Sequence, residues 1–263
     1  MSEPVQWQEI AYAGGQARIE YQWLGATDAP GSVIVFLHEG LGSLALWKGF
    51  PALLCQRLGC RGLVYSRPAY GQSQDLAPAQ PWGIDFLHRQ ACAVLPALLQ
   101  ALQVREPPVL LGHSDGASIA LLYAAMHLGH CRAVVALAPH LFVEPKTIAA
   151  IAALQAQAVC KPLLARLGKH HRDAPALFQC WSQAWLAPDF APWAITDTIA
   201  TLGCPVLAVQ GLDDEYGTLA HIQTLARHHS RTELLTFEAC GHEPHRDQAE
   251  RLIAAVFKFL QHL

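Results

Sequence analysis

Apolar residues recur along this chain in two rhythms. From 5 to 24 they alternate with polar ones around Gly14-Gly15, as in Ala17-Arg18-Ile19-Glu20-Tyr21-Gln22-Trp23. That period of two predicts a half-exposed antiparallel hairpin. Later they come as short unbroken runs: Ser32 to Leu37, Gly62 to Tyr65, Val109 to Leu111, Ala133 to Leu137, Pro205 to Val209 and Glu233 to Phe237. Each run predicts a strand buried on both faces. Helical stretches at 46–58, 82–102 and 117–126 separate them. Strands alternating with helices imply right-handed crossovers, so the expected class is α/β, a mostly parallel eight-stranded sheet with helices on both faces.

One stretch departs from this rhythm. Between about 140 and 202 no strand pattern occurs, and helical segments such as Thr147 to Arg166 give way to Phe178, Trp181, Trp185, Pro188, Pro192 and Trp193. An insertion after the carboxyl end of a strand sits over the face where such sheets do their chemistry. The expected division is a core of 1–140 and 203–263 with a helical cap at 141–202. Phe142, Trp181 and Trp185, with Glu39, are the candidate pocket residues.

The run ending at Leu111 enters Gly112-His113-Ser114-Asp115-Gly116, a Gly-x-Ser-x-Gly pentad that opens a helix. A serine on a tight strand-to-helix turn sits in a strained backbone conformation, and neighbouring side chains would clash there. A serine hydroxyl needs a base to take its proton, and the base needs an acid to orient it. Two late loops supply them. Gln210-Gly211-Leu212-Asp213-Asp214-Glu215 and Cys240-Gly241-His242-Glu243-Pro244-His245 each follow a predicted strand, giving the order Ser, Asp, His.

With these motifs in order at strand ends, the chain resembles an α/β-hydrolase-fold protein with a cap inserted after the sixth strand, over essentially its whole length. The resemblance implies Ser114 as nucleophile and His242 as general base and then acid. It implies Asp214, three residues after Gly211, as the acid, with Asp213 the second candidate. It also makes His38-Glu39-Gly40-Leu41-Gly42 the oxyanion loop. The backbone N–H groups of Asp115 and of Gly40, or else Leu41, would hold the charge that develops on a substrate carbonyl oxygen.

Three departures from the family pattern carry charge or remove it. Glu39 stands where the family commonly has glycine, and Asp115 and Glu243 follow the nucleophile and the base. Solvent-facing carboxylates, and a helix dipole favouring Asp115, are one reading. The other is that one of them raises the pKa of His242 or repels anionic substrates. The third departure is the loop Ser66-Arg67-Pro68-Ala69-Tyr70-Gly71-Gln72-Ser73, where Ser66 replaces an aspartate and leaves a buried hydrogen bond in question.

Composition narrows the function. A net charge of −3 with no basic run gives nothing for nucleic acid or anionic lipid, and 52% hydrophobic against 15% charged residues suits a compact enzyme. No signal peptide and no stretch of about 18 apolar residues is apparent, so a cytoplasmic protein that spans no membrane is expected. Eight scattered cysteines without a Cys-x-x-Cys pair read as reduced thiols. His242-Glu243-Pro244-His245 lacks the spacing of a zinc helix, and His170-His171 and His228-His229 diverge, so no metal or other cofactor is expected. The expected activity is hydrolysis of a carboxylic ester or thioester of a small to medium apolar or aromatic acyl group, a small-molecule substrate, through an acyl-enzyme on Ser114. The alternatives are hydrolytic C–C cleavage of an aromatic ring-cleavage product and a ligand receptor without turnover. Oligomeric state is left open.

Overall fold

The computed structural model describes residues 3–26, 32–75, 82–158 and 161–263. In chain order its elements are β1 (Gln6–Tyr12), β2 (Gly15–Leu24), β3 (Ile34–Leu37), α1 (Phe50–Leu58), β4 (Gly62–Tyr65), β5 (Gln74–Asp75), α2 (Phe86–Arg89), α3 (Leu95–Ala101), β6 (Val109–His113), α4 (Asp115–Met126) and β7 (Ala133–Leu137). Four helices follow: α5 (Pro145–Ala158), α6 (Lys161–Leu167), α7 (Ala174–Leu186) and α8 (Thr196–Ile199). The chain then returns through β8 (Val206–Gly211), α9 (Ala220–His228), β9 (Thr232–Phe237), α10 (Pro244–Asp247) and α11 (Ala249–Gln261).

The alternating stretch forms the antiparallel pair β1–β2, with Ala17, Ile19 and Tyr21 turned inward. The unbroken runs form the parallel strands. The sheet path is β1-β2-β4-β3-β6-β7-β8-β9, the eight strands expected, and the two-residue β5 is a ninth that pairs with β2 off this path. Alternate residues of each parallel strand enter opposite halves of the core: Val35, Leu110 and Val134 pack with α3 and α4, while Phe36, Leu111 and Val135 pack with α1 and α11. α4 runs buried from Asp115 to Ala125, because its apolar surface meets the sheet on one side and other helices on the rest.

Two predicted helices are interrupted. The 46–58 segment is a short 3₁₀ turn, Leu44–Trp47, then α1, the two separated by Lys48 in a positive-φ conformation (φ 53°). The 82–102 segment holds a wider helical turn, Gln90–Val94, between α2 and α3. From β7 to β8 the described residues contain helices and one isolated bridge, Phe142 to Ala194. Of the eight cysteines, Cys160 lies outside the described residues and the other seven are free thiols. No helix among the described residues is long and apolar enough to cross a membrane.

Candidate active site

Ser114 joins β6 to α4 at φ 54° and ψ −119°, a region that side-chain-bearing residues rarely occupy. Such a conformation costs about 1–3 kcal/mol and persists only where its surroundings hold it. Here the Ser114 N–H donates to the Leu137 carbonyl of β7 at 2.9 Å, and the Ser114 carbonyl accepts from Ala117 N–H. A Cβ at Gly112 would overlap the Gly116 and Ala117 backbone, and one at Gly116 would overlap the Leu37 and His38 carbonyls. Both glycines of the pentad are thus required by the close approach of the helix to the sheet.

The loops after β8 and β9 bring Asp214 and His242 together. His242 Nδ1 lies 2.9 Å from each carboxylate oxygen of Asp214. Asp214 is 1% exposed and also accepts from Gln210 Nε2 at 2.5 Å and from the N–H groups of Tyr216 and Gly217 at 2.7 and 3.1 Å. Burial alone would raise its pKa; the His242 hydrogen bond and the backbone donors outweigh burial and lower it. With Nδ1–H committed to the carboxylate, Nε2 of His242 is the acceptor nitrogen. Asp213, the second candidate, is exposed, and its N–H donates to the Cys240 carbonyl, so the histidine meets Asp214.

The loop His38-Glu39-Gly40-Leu41-Gly42 leaves β3 and shares a cavity wall with Ser114. Gly42 N–H closes it onto the Glu39 carbonyl, while the N–H groups of Gly40 and Leu41 make no backbone hydrogen bond among the described residues. Asp115, as the first residue of α4, has no partner for its N–H within the helix. Its carboxylate does not face solvent. It is 1% exposed, and each oxygen accepts one indole N–H from α7: Trp181 Nε1 at 3.2 Å and Trp185 Nε1 at 3.3 Å. Arg67 Nη2 stands 3.7 Å away. Burial raises the Asp115 pKa, and Arg67 and the two indoles offset this in part. At Gly40 a Cβ would run into the Trp181 indole, so this glycine admits the α7 helix.

Glu39 turns toward the core, its Oε2 3.6 Å from His113 Nδ1, and His113 Nε2 donates to the His242 carbonyl at 2.7 Å. Burial alone would raise the Glu39 pKa, but His113 and His38 outweigh it and hold the carboxyl well below its usual range. For His113 burial acts downward, and Glu39 with the His242 carbonyl overrides it, so its pKa is raised. Glu243 instead forms an exposed ion pair with Arg246, 2.6 Å away. The hydrogen bond questioned at Ser66 is made, with the carboxylate coming from β2. Ser66 Oγ donates to Glu20 Oε1 at 2.5 Å and accepts from Leu44 N–H at 2.8 Å, and Gln72 N–H donates to the same Glu20 oxygen at 2.9 Å.

A cavity of about 270 Å³ gathers these groups. Ser114, His242, Glu39, Gly40, Leu41, Asp115, Trp181 and Trp185 all line it. Phe142 does not, contrary to expectation: its backbone bridges Ala194 and its ring packs on His221 with centroids 4.4 Å apart, which occupies it away from the cavity lining. His140, Tyr216 and the insertion residues Ile151, Leu154 and Leu163 also line the cavity and were not singled out from the sequence. His140 follows the strand-closing Ala138-Pro139, and a position just past the carboxyl end of a parallel strand was the signal available. Among the described residues no cluster of three or more His, Cys, Asp or Glu is arranged to hold a metal ion.

A model of the Alpha/beta hydrolase family matches residues 34–255. A search of curated proteins gave no match. Among solved structures, a thermophilic esterase from Thermogutta terrifontis superposes with a TM-score of 0.74 at 18% identity, covering 97% of this chain and 98% of that one. The enol-lactonase from Burkholderia xenovorans gives 0.73 at 17% identity, covering 95% and 100%. The meta-cleavage product hydrolase from Pseudomonas fluorescens gives 0.71 at 18%, covering 97% of each. At these identities the likeness is one of fold.

Proposed function

Since the chain belongs to the alpha/beta hydrolase family, we propose that it is a serine hydrolase that cleaves carboxylic esters or thioesters of small to medium apolar or aromatic acyl groups. The observation that carries this reading is the pairing of His242 Nδ1 with Asp214 at 2.9 Å, in a cavity that the same histidine shares with the strained Ser114. Ser114 Oγ attacks the acyl carbonyl while His242 Nε2 takes its proton. Asp214 holds the imidazole in the tautomer that accepts at Nε2 and stabilises the imidazolium that forms. The N–H groups of Asp115 and Gly40 receive the developing oxyanion, each worth about 3 kcal/mol in the transition state. The tetrahedral intermediate collapses as His242 returns the proton to the leaving alcohol or thiol. Water, deprotonated by His242, then releases the acid from Ser114.

Residues 141–202 act as a cap in this reading, with the cavity roofed by α5, α6 and α7. Ligand pockets span roughly 300–1,000 Å³, so a cavity of about 270 Å³ favours a short acyl group. The test is fluorophosphonate labelling with turnover of p-nitrophenyl acetate to octanoate. Labelling at Ser114 and hydrolysis, both lost in Ser114→Ala, support the reading. Turnover of ring-fission diketones without ester turnover would redirect it to C–C hydrolysis, and saturable binding without turnover to a receptor.

A further inference from the structure

His140 is a buried polar side chain with no role in the acyl transfer just described. It is 3% exposed and lines the cavity beside Ser114. Its backbone is pinned to α4, since Ser118 Oγ donates to the His140 carbonyl at 2.6 Å and the His140 N–H donates back to Ser118 Oγ at 3.2 Å. The ring has no such anchor. Nδ1 is enclosed without a hydrogen-bond partner, and neither ring nitrogen is hydrogen-bonded among the described residues. Its neighbours are ring faces: Trp185 and His221 with centroids 5.2 Å away, and His242 at 5.9 Å.

The adjacent histidine does not answer it. His221 Nδ1 accepts from Leu141 N–H at 3.2 Å, and its Nε2 faces Glu144 Oε2 at 3.0 Å. Burial, with His221 and His242 nearby, holds the His140 pKa well below its ordinary value, so the imidazole is neutral. A neutral imidazole carries one donor and one acceptor, and buried polar groups are otherwise nearly always paired. Of its two nitrogens only Nδ1 is wholly enclosed, so the ring reaches the cavity through Nε2. The carboxylates of Glu39, Asp115, Glu215 and Glu243 line this space against the single guanidinium of Arg166, a balance that disfavours an anionic ligand group.

We infer that His140 is a specificity residue whose imidazole hydrogen-bonds an uncharged oxygen, a ketone or hydroxyl, carried by the acyl chain of the substrate. The inference rests on the hydrolase reading and deepens it from any short apolar acyl group to an oxo- or hydroxyacyl group.

The experiment compares p-nitrophenyl pentanoate with its 3-hydroxy, 4-oxo and 5-hydroxy counterparts. The wild-type protein is expected to favour at least one oxygenated ester by about tenfold in kcat/KM, through KM, since one satisfied hydrogen bond is worth about that factor. His140→Phe is expected to bring the ratio of oxygenated to plain ester turnover within about twofold, whatever the change in pentanoate turnover itself; His140→Gln, which keeps a donor, retains part of that ratio. A wild-type protein indifferent to all three oxygens, or a preference intact in His140→Phe, overturns the inference. Binding of 4-oxopentanamide, 5-hydroxypentanamide and pentanamide to Ser114→Ala, read by tryptophan fluorescence, separates the two readings. Discrimination between these amides without ester turnover by the wild type sinks the hydrolase reading and leaves His140 its role. Ester turnover without discrimination does the reverse. If His140→Phe fails to fold, the same amides compared on Ser114→Ala and on Ser114→Ala with His140→Gln decide the matter.

Discussion

At Asp115 the carboxylate and the backbone N–H of one residue serve different ends. The N–H lies at the start of α4 beside Ser114, and the carboxylate accepts from Trp181 and Trp185 while facing the buried Arg67. Removing one partner of a buried charge pair leaves the other without compensation, typically at 3–5 kcal/mol. Asp115→Ala is therefore expected to lose about 3 kcal/mol in urea unfolding, and to slow ester turnover even though its N–H remains. Asp214→Asn leaves the geometry in place but favours the wrong tautomer of His242. Its kcat is expected to fall by about 10³–10⁴, with KM little changed. Glu39→Gln removes the group that keeps the His113 pKa up, so that residue titrates at lower pH in an NMR titration. An unmoved His113 resonance would show that the 3.6 Å contact carries no charge pairing.

Helix α7 reaches Asp115, the residue after Ser114, through Trp181 and Trp185, four residues apart and on one helix face. A double-mutant cycle of Asp115→Asn with Trp185→Phe is expected to give a coupling of about 1.5–3 kcal/mol, the range for a hydrogen bond to a charged group. No coupling would mean that the helix is held by apolar packing alone. The strands behind this arrangement were plain in the sequence, because residues buried on both faces must be apolar in unbroken runs. The strained turn at Ser114 and the pairing of His242 with Asp214 were legible for a related reason, since each falls just past the carboxyl end of such a strand. The partners of Asp115 were not, since 66 and 70 residues separate it from the two indoles and no local period records such a contact. Phe142 misled for a related reason: apolar character marks burial without saying which side of the turn after β7 is the cavity.

Across the whole molecule the histidines set the response to acid. His38, His140 and His245 are buried, and desolvation is the largest cause holding each pKa well below its ordinary value. A histidine depressed in the fold binds fewer protons there than in the unfolded chain. Each therefore withdraws up to about 1.4 kcal/mol of stability per pH unit below about 6.5. His113, with its pKa raised, acts oppositely: its contribution is present below about 6.5 and is lost as pH rises through its folded value. Glu39 and Asp214, both lowered, add a second loss as pH falls through their folded values, starting below about 4. Urea midpoints measured from pH 8 to 4 are expected to begin falling near pH 6.5, earlier than carboxylates alone would dictate; a flat profile down to pH 5 would contradict the buried neutral histidines. The loop that Ser66 anchors has its own consequence for how this protein can be recombined. Its carboxylate, Glu20, lies outside the 34–255 segment that carries the family pattern, on a hairpin that looks like dispensable trim. A chimaera that transplants that segment onto a relative's hairpin inherits a serine waiting for a distant acid, and needs Ser66→Asp in the graft or a glutamate in register on the new host.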